Sequence, residues 1–287
     1  MDLVVQSTDL PSGAVEAFKV ACVARSVRRK LNCARLIGIQ DDADTRRAAA
    51  ALAKYWRCDA AFVPPTLALG AFRVLALDMD STLITIESLD ELAALAGKGA
   101  EVSALTAAAM CGEAADYRAN LSRRVALLAG VDASLLERVY AEKLHLSPGA
   151  ERLVAACRKA GLHVLLATSG FDFFAQRLQA RLELDSIRCN RLVLADGRLT
   201  GEVTGQDRAA LVDAEGKAEA LRAACTALGC PAARAIAIGD GANDLKMLAL
   251  AGLSVAYRAR PIVQKQAAHA LDFAPLDGVL EWFAEAW

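Results

Sequence analysis

Three short stretches and one lysine gather groups suited to phosphate and metal. Asp78-Met79-Asp80-Ser81-Thr82 follows the apolar run RVLAL, Thr168-Ser169-Gly170 follows HVLLA, and Asp240-Gly241-Ala242-Asn243-Asp244 follows AIAIG. Lys217 opens a helical stretch ahead of the last of these. In extended chain Asp78 and Asp80 lie on one side and Met79 on the other. Two carboxylates so close repel unless a cation or a shared proton intervenes. Asp240 from another strand end makes a cage of hard oxygens, which suits Mg²⁺ with waters left for a substrate phosphate. Thr168 offers a hydroxyl to a phosphate oxygen and Lys217 a compact positive charge. The N–H groups of the helix after Ser169-Gly170 favour anions. This is the inventory of phosphoryl transfer, which needs positioning and charge neutralisation above all. One carboxylate can act as nucleophile. A second, held at raised pKa, can protonate the leaving oxygen and then deprotonate water.

Groups this far apart in the chain meet only if a sheet delivers them. The three apolar runs read as parallel strands covered on both faces. Helical stretches at 150–160, 171–182, 216–229 and 243–252 alternate with them, LSVAY adds a strand, and Asp196-Gly197 marks a hairpin. The alternation predicts an α/β fold, a doubly wound, Rossmann-like parallel sheet that binds ligands beyond the carboxyl ends of its strands. Residues 87–146 read as nearly all helix, too much for a connection, and are expected to form a helical cap inserted after the first strand. Residues 1–70 read as strand, helix, strand, helix, strand. They form a small α+β unit with helices on one face, closed by Pro64-Pro65 and a turn-rich linker. Two domains are expected, 1–70 and 71–287.

Composition narrows the partners. Of 287 residues 55% are hydrophobic and 5% aromatic, enough to bury a core without staples. Lys plus Arg number 33 and Asp plus Glu 34, a net charge of -1 that leaves no electrostatic footprint for nucleic acid. No block of like charge suggests a membrane tether, and no run nears the ~20 apolar residues of a span. The start, MDLVVQSTDLPSG, has neither basic region nor long apolar run, so no secretion signal is expected. The eight cysteines are scattered without a C-x-x-C pair, which argues against zinc and for free thiols in a reducing cytoplasm. His163 is expected to be packed in a strand and His145 and His269 to be on the surface; no serine–histidine or cysteine–histidine arrangement is suggested.

The ordered set DMDST, TSG, Lys217 and GDGAND resembles the four motifs of the haloacid dehalogenase superfamily, over about residues 72–280. DMDSTLITIESLDELA, SRRVALL, DGRLTGEV and AIGDGANDLKML narrow the resemblance to the phosphoserine phosphatases. It implies Asp78 as nucleophile and Asp80 as general acid and base. It implies Mg²⁺ held by the Asp78 side chain, the Asp80 carbonyl and the Asp240 side chain, with Asp244 behind them. Thr168 and Lys217 would grip the phosphate, with Lys246 as the alternative lysine. Glu87 would meet the amino group of O-phospho-L-serine and Arg124 its carboxylate. Arg123 is the alternative, ~100° away round the same helix. Met110 and Tyr117 would close the pocket; Gly170, Gly241 and Asn243 match positions of close approach or contact with phosphate. The sequence departs from the pattern at Ser169, where glycine is usual, and at Tyr117, where phenylalanine is commoner. A tighter pocket or a shifted specificity is expected there. Residues 1–70 resemble the ACT-like unit of longer members, which would serve as a regulatory amino-acid site, a structural element or a homodimer contact. The same motifs leave open another small phosphate ester, phosphoryl transfer to an acceptor, or a non-catalytic amino-acid-binding regulator.

Overall fold

The computed structural model describes residues 1–110, 116–206 and 210–287; the side chain of Met110, and Cys111, lie outside the described part. The first unit runs β1 (Asp2–Gln6), α1 (Ser12–Ala21), β2 (Ser26–Arg29), β3 (Cys33–Ile37), α2 (Ala43–Trp56) and β4 (Asp59–Val63). Its sheet has the order β2-β3-β1-β4, every pair antiparallel, a split βαβ arrangement. Sequence reading misses β2. SVRR is charged and solvent-facing, as an edge strand is, and shows no apolar alternation. Leu3, Val5, Ala34 and Leu36 pack under both helices with Phe18 and Ala49. Val4, Cys33, Ala61 and Val63 on the opposite face join the core of the rest of the chain. Arg35, buried, pairs with Asp2 at 2.9 Å and donates to the Trp282 carbonyl at 3.2 Å. Asp59 accepts the backbone N–H groups of Asp272, Phe273 and Ala274.

The second sheet contains β5 (Val74–Leu77), β6 (His163–Phe171), β7 (Ser186–Ala195), β8 (Arg198–Gly205), β9 (Ala235–Gly239), β10 (Leu253–Tyr257) and β11 (His269–Leu271). The order is β11-β10-β9-β5-β6-β7-β8, parallel throughout except for the β7–β8 hairpin. Val74 and Ala76 face α9 (Ala214–Ala227) and α10 (Leu245–Leu250). Leu75 and Leu77 face α7 (Ala150–Lys159), α8 (Asp172–Leu182) and the C-terminal turns. This two-sided burial explains why the strands read as unbroken apolar runs. The three-residue β11 carries no such signal. His269 in it is not a surface residue: it is half-buried, with its ring 4.9 Å from that of Trp282.

Between β5 and α7 stand α3 (Ser88–Leu95), α4 (Gly99–Met110), α5 (Tyr117–Ala126) and α6 (Ser134–Glu142). The hairpin supports α5 closely. Gly201, at φ +87°, would with a Cβ come within 2.9 Å of Ala129. β5 sits between β6 and β9 with Leu77 level with both Leu166 and Ile238. The residues that follow these three strands therefore emerge side by side.

Candidate active site

Asp78 continues the alternation of β5, so its side chain turns toward the α9 face, where Lys217 waits at the start of that helix. The Lys217 ammonium, fully buried, lies 2.7 Å from Asp78 Oδ1 and 2.7 Å from Asp244 Oδ1. Burial alone would lower its pKa; the charges of Asp244 and Asp78 outweigh that and hold the proton well above the ordinary range. Met79 N–H also donates to Asp78 Oδ1, at 2.7 Å, so both contacts to Asp78 fall on one oxygen. Asp244 Oδ2 accepts the N–H groups of Asp240 and Gly241 at 3.0 Å each, which folds the loop after β9 around it. A Cβ at Gly239 would fall 2.4 Å from Asp244 Cγ, so only glycine fits there. Lys246 is exposed and paired with Glu215, away from this cluster.

The loop after Asp78 reverses within five residues. Ser81 takes φ 55°, and the turn aims three side chains. Thr82 Oγ1 donates to Asp240 Oδ1 at 2.8 Å, Ser81 Oγ donates to Glu87 Oε1 at 2.7 Å, and Asp80 Oδ1 accepts the Ser88 N–H at 2.8 Å. Asp80 lines the cavity, with Gly170 so near that a Cβ there would meet its Oδ2 at 2.8 Å. The carboxylates whose oxygens converge within 4.8 Å are Asp78, Asp240 and Asp244. Asp80 contributes no side-chain oxygen to that group, and both Asp244 oxygens are already taken by Lys217 and the loop amides.

A cavity of about 20 Å³ lies at these strand ends, lined by Asp78, Asp80, Ser88, Tyr117, Thr168 and Asn243 among others. Ser169, Gly170, Leu89, Leu121 and Phe171 also line it. Thr168 Oγ1 accepts the Gly170 N–H at 2.8 Å. Ser169 is held by its carbonyl, which accepts from Asn190 Nδ2 at 2.8 Å; its hydroxyl faces Asn243 Nδ2 at 3.5 Å and interacts with the Tyr117 phenol. The two departures from the family pattern therefore meet each other. Glu87, Arg124, Lys217, Asp240, Gly241 and Asp244 stand behind this lining.

Arg124 is 3% exposed, whereas Arg123 faces solvent. Tyr117, Leu121 and Arg124 are spaced i, i+4, i+7, so they share one face of α5, and the first two line the cavity. Arg124 Nη1 donates to Thr106 Oγ1 at 3.1 Å, while Nε and Nη2 are buried with no hydrogen-bond partner among the described residues. Ser88 Oγ and Asn243 Oδ1 are also buried and unpartnered. Buried polar atoms are nearly always hydrogen-bonded, so such a group of orphans beside one cavity points to a ligand.

The electrostatics point the same way. Burial, then the charge of Asp244, pushes the Asp78 carboxyl up to about 7. Burial pushes Asp80 to about 7 and, with the charge of Asp80, Glu87 to about 7. Asp240 is held well above the carboxylate range by burial and by Asp78, Asp244 and Glu87. Among the described residues six carboxylates, Asp90 included, stand around two cations, Lys217 and Arg124. A divalent ion would offset that excess, and the free oxygens of Asp78 and Asp240 are hard donors of the right kind, so the residues fit Mg²⁺.

Residues 75–249 match the haloacid dehalogenase-like hydrolase family. The chain is a haloacid dehalogenase-like hydrolase. This hydrolase is 50% identical over 217 residues to a phosphoserine phosphatase of Polaromonas sp., covering 76% of its own length and 92% of the relative's. A probable phosphoserine phosphatase from Vibrio cholerae, solved unliganded, overlays 99% of it at TM-score 0.81 and 33% identity, covering 87% of that chain. A phospho-aspartyl intermediate analogue of phosphoserine phosphatase overlays 74% of it at TM-score 0.69 and 31% identity, covering 99% of that chain.

The sequence singled out Ser81, Thr82 and Gly239 within motifs without showing which groups they aim, and it gave no sign of Ser88, of Asn190 on β7 or of Thr106. Thr82 and Gly239 stand inside the motifs, where their small size was the available signal. Asn190 and Thr106 carry no local signal, because the backbone and side chains they bind are distant in sequence.

Proposed function

We propose that this chain hydrolyses O-phospho-L-serine to L-serine and phosphate, with Mg²⁺, through an aspartyl phosphate formed on Asp78. The observation that carries the substrate is the Arg124 fork. A guanidinium that is buried yet leaves its Nε and Nη2 edge unpaired suits a bidentate carboxylate. Glu87, with its carboxyl near neutral pKa, answers the substrate ammonium. Phosphoserine joins both charges to a phosphate within one small molecule. The names of the relatives support the same substrate.

Asp78 attacks phosphorus through one oxygen of its carboxylate, which Met79 N–H and Lys217 orient through their contacts to Oδ1. The bond from phosphorus to the serine oxygen breaks as Asp80 delivers its proton to that oxygen. A carboxyl near pKa 7 is protonated often enough at neutral pH for this step. Asp80 then takes a proton from water as the water attacks the acyl phosphate, releasing phosphate and the free Asp78 carboxylate. Thr168 and Asn243 contact the phosphoryl oxygens, and Lys217 offsets their charge. Mg²⁺, held by the Asp78 and Asp240 carboxylates and the Asp80 carbonyl, supplies further charge neutralisation when bound. Leu89 of α3 and Tyr117 and Leu121 of α5 line the cavity, so α3–α6 serve as a cap that opens for substrate and shuts to exclude water.

In this reading residues 71–287 are the catalytic domain, with the cap at about 87–146, and residues 1–70 an ACT-like regulatory or structural domain. The seven described cysteines are free and mostly buried, which supports a reducing, cytoplasmic setting. Phosphate release from phosphoserine, phosphothreonine and an aryl phosphate tests the substrate. Phosphoserine is expected to lead by kcat/KM, and Arg124→Ala to raise its KM at least tenfold. Equal use of the three esters, or an unchanged KM, overturns the assignment.

A further inference from the structure

Arg124 is the end of a chain of contacts that crosses three cap helices. Its Nη1 donates to Thr106 Oγ1 of α4 at 3.1 Å, and Thr106 Oγ1 lies 2.5 Å from Asp90 Oδ1 of α3. Arginine only donates, so the hydroxyl oxygen accepts from Arg124 and its single proton is free to go elsewhere. It goes to the Asp90 carboxylate at 2.5 Å in preference to the Val102 carbonyl at 3.2 Å, because the acceptor is charged and nearer. Thr106 and Arg124 are both buried, at 4% and 3% exposure.

An aspartate so near a buried arginine would ordinarily form a direct, bidentate pair, which satisfies the fork and leaves nothing for a ligand. Here one hydroxyl stands between them. We propose that Thr106 is a spacer that keeps Asp90 from pairing with Arg124, so that the Nε and Nη2 edge stays open for the substrate carboxylate. Asp90 still balances the arginine charge through the hydroxyl, and the relay fixes the guanidinium plane. Thr106 and Asp90 are positioning residues: they touch Arg124 and act through it. The inference deepens the phosphoserine reading and rests on it for the identity of the ligand.

The test compares O-phospho-L-serine with O-phosphoethanolamine, which keeps the phosphate and the ammonium and lacks only the carboxylate. Thr106→Val is expected to raise KM for phosphoserine roughly tenfold by letting Arg124 collapse onto Asp90, while phosphoethanolamine kinetics and kcat for both esters hold. Thr106→Ser restores the wild-type KM. Adding Asp90→Asn to Thr106→Val recovers most of the loss, since the competing carboxylate is gone. A general packing defect would harm both substrates alike and worsen in the double variant; either result, or no effect of Thr106→Val, overturns the spacer. If the wild type does not favour phosphoserine over phosphoethanolamine, the substrate reading falls on its own. The spacer is then decided by the Arg124 Nε–H resonance, identified by its loss in Arg124→Lys. A shift in Thr106→Val that Asp90→Asn reverses supports it, and an unchanged resonance refutes it.

Discussion

At the scale of single residues, the site is organised by an imbalance of charge. Asp78, Asp80, Glu87 and Asp240 all have carboxyls raised by burial and by one another. Protons and a divalent cation therefore compete for the same oxygens. Below about pH 7 the Asp78 carboxyl gains a proton that Mg²⁺ must displace, and Asp240, held well above the ordinary carboxylate range by burial and its acidic neighbours, adds to that competition. The apparent Mg²⁺ affinity of the protein is expected to fall several-fold from pH 8 to pH 6, with proton release on binding. Calorimetric titration at the two pH values checks this, and a pH-independent affinity would contradict it. Asp78, Asp80, Thr168, Asp240 and Asp244 were legible in the sequence because each sits in the first few positions past an apolar run, where small motifs have little freedom, and Lys217 by its place at the start of a helix. The second layer was not. Thr82 on Asp240, Thr106 on Arg124 and Asn190 on the Ser169 carbonyl are ordinary polar residues whose meaning lies in partners at least 15 residues away.

At the scale of elements, strands buried on both faces announced themselves and exposed or short ones did not. β2 is charged, and β11 has three residues. The consequence is that His269 in β11 reads as a surface residue and is instead packed on Trp282 at 4.9 Å. Burial, with the Arg46 charge, lowers its pKa from 6.5 to about 4. Between those values the unfolded chain binds a proton that the folded chain refuses. This contribution is therefore whole above about pH 6.5 and is lost as pH falls toward 4, by roughly 2 kcal/mol at pH 5. Urea unfolding at pH 7 and pH 5 measures it. The difference between the two pH values is expected to shrink by about that amount in His269→Gln. An equal difference in variant and wild type would remove His269 from the acid limb.

At the scale of the molecule, the chain joins a parallel-dominated sheet with an acidic cluster at its strand ends to the helices α3–α6, of which α3 and α5 line the same cavity. The first unit is fastened to the sheet domain rather than tethered: Asp59 ties β4 to residues 272–274, and Arg35 and Asp2 lie buried between the two. A small sheet with two helices on one face was readable from element order, whereas its fourth strand, its antiparallel pairing and the way it packs against the C-terminal turns were not, since β2 is charged and those turns have no periodic pattern. Among the described residues no helix is long and apolar enough to cross a membrane. Both halves of the site depend on Asp78, which closes the sheet side and faces the cavity under the cap. The most direct measurement is phosphate release from O-phospho-L-serine with Mg²⁺, by the wild-type protein and by Asp78→Asn. The account predicts steady turnover in the first and none in the second. Turnover that survives in Asp78→Asn, or a wild type that releases no phosphate, would contradict it.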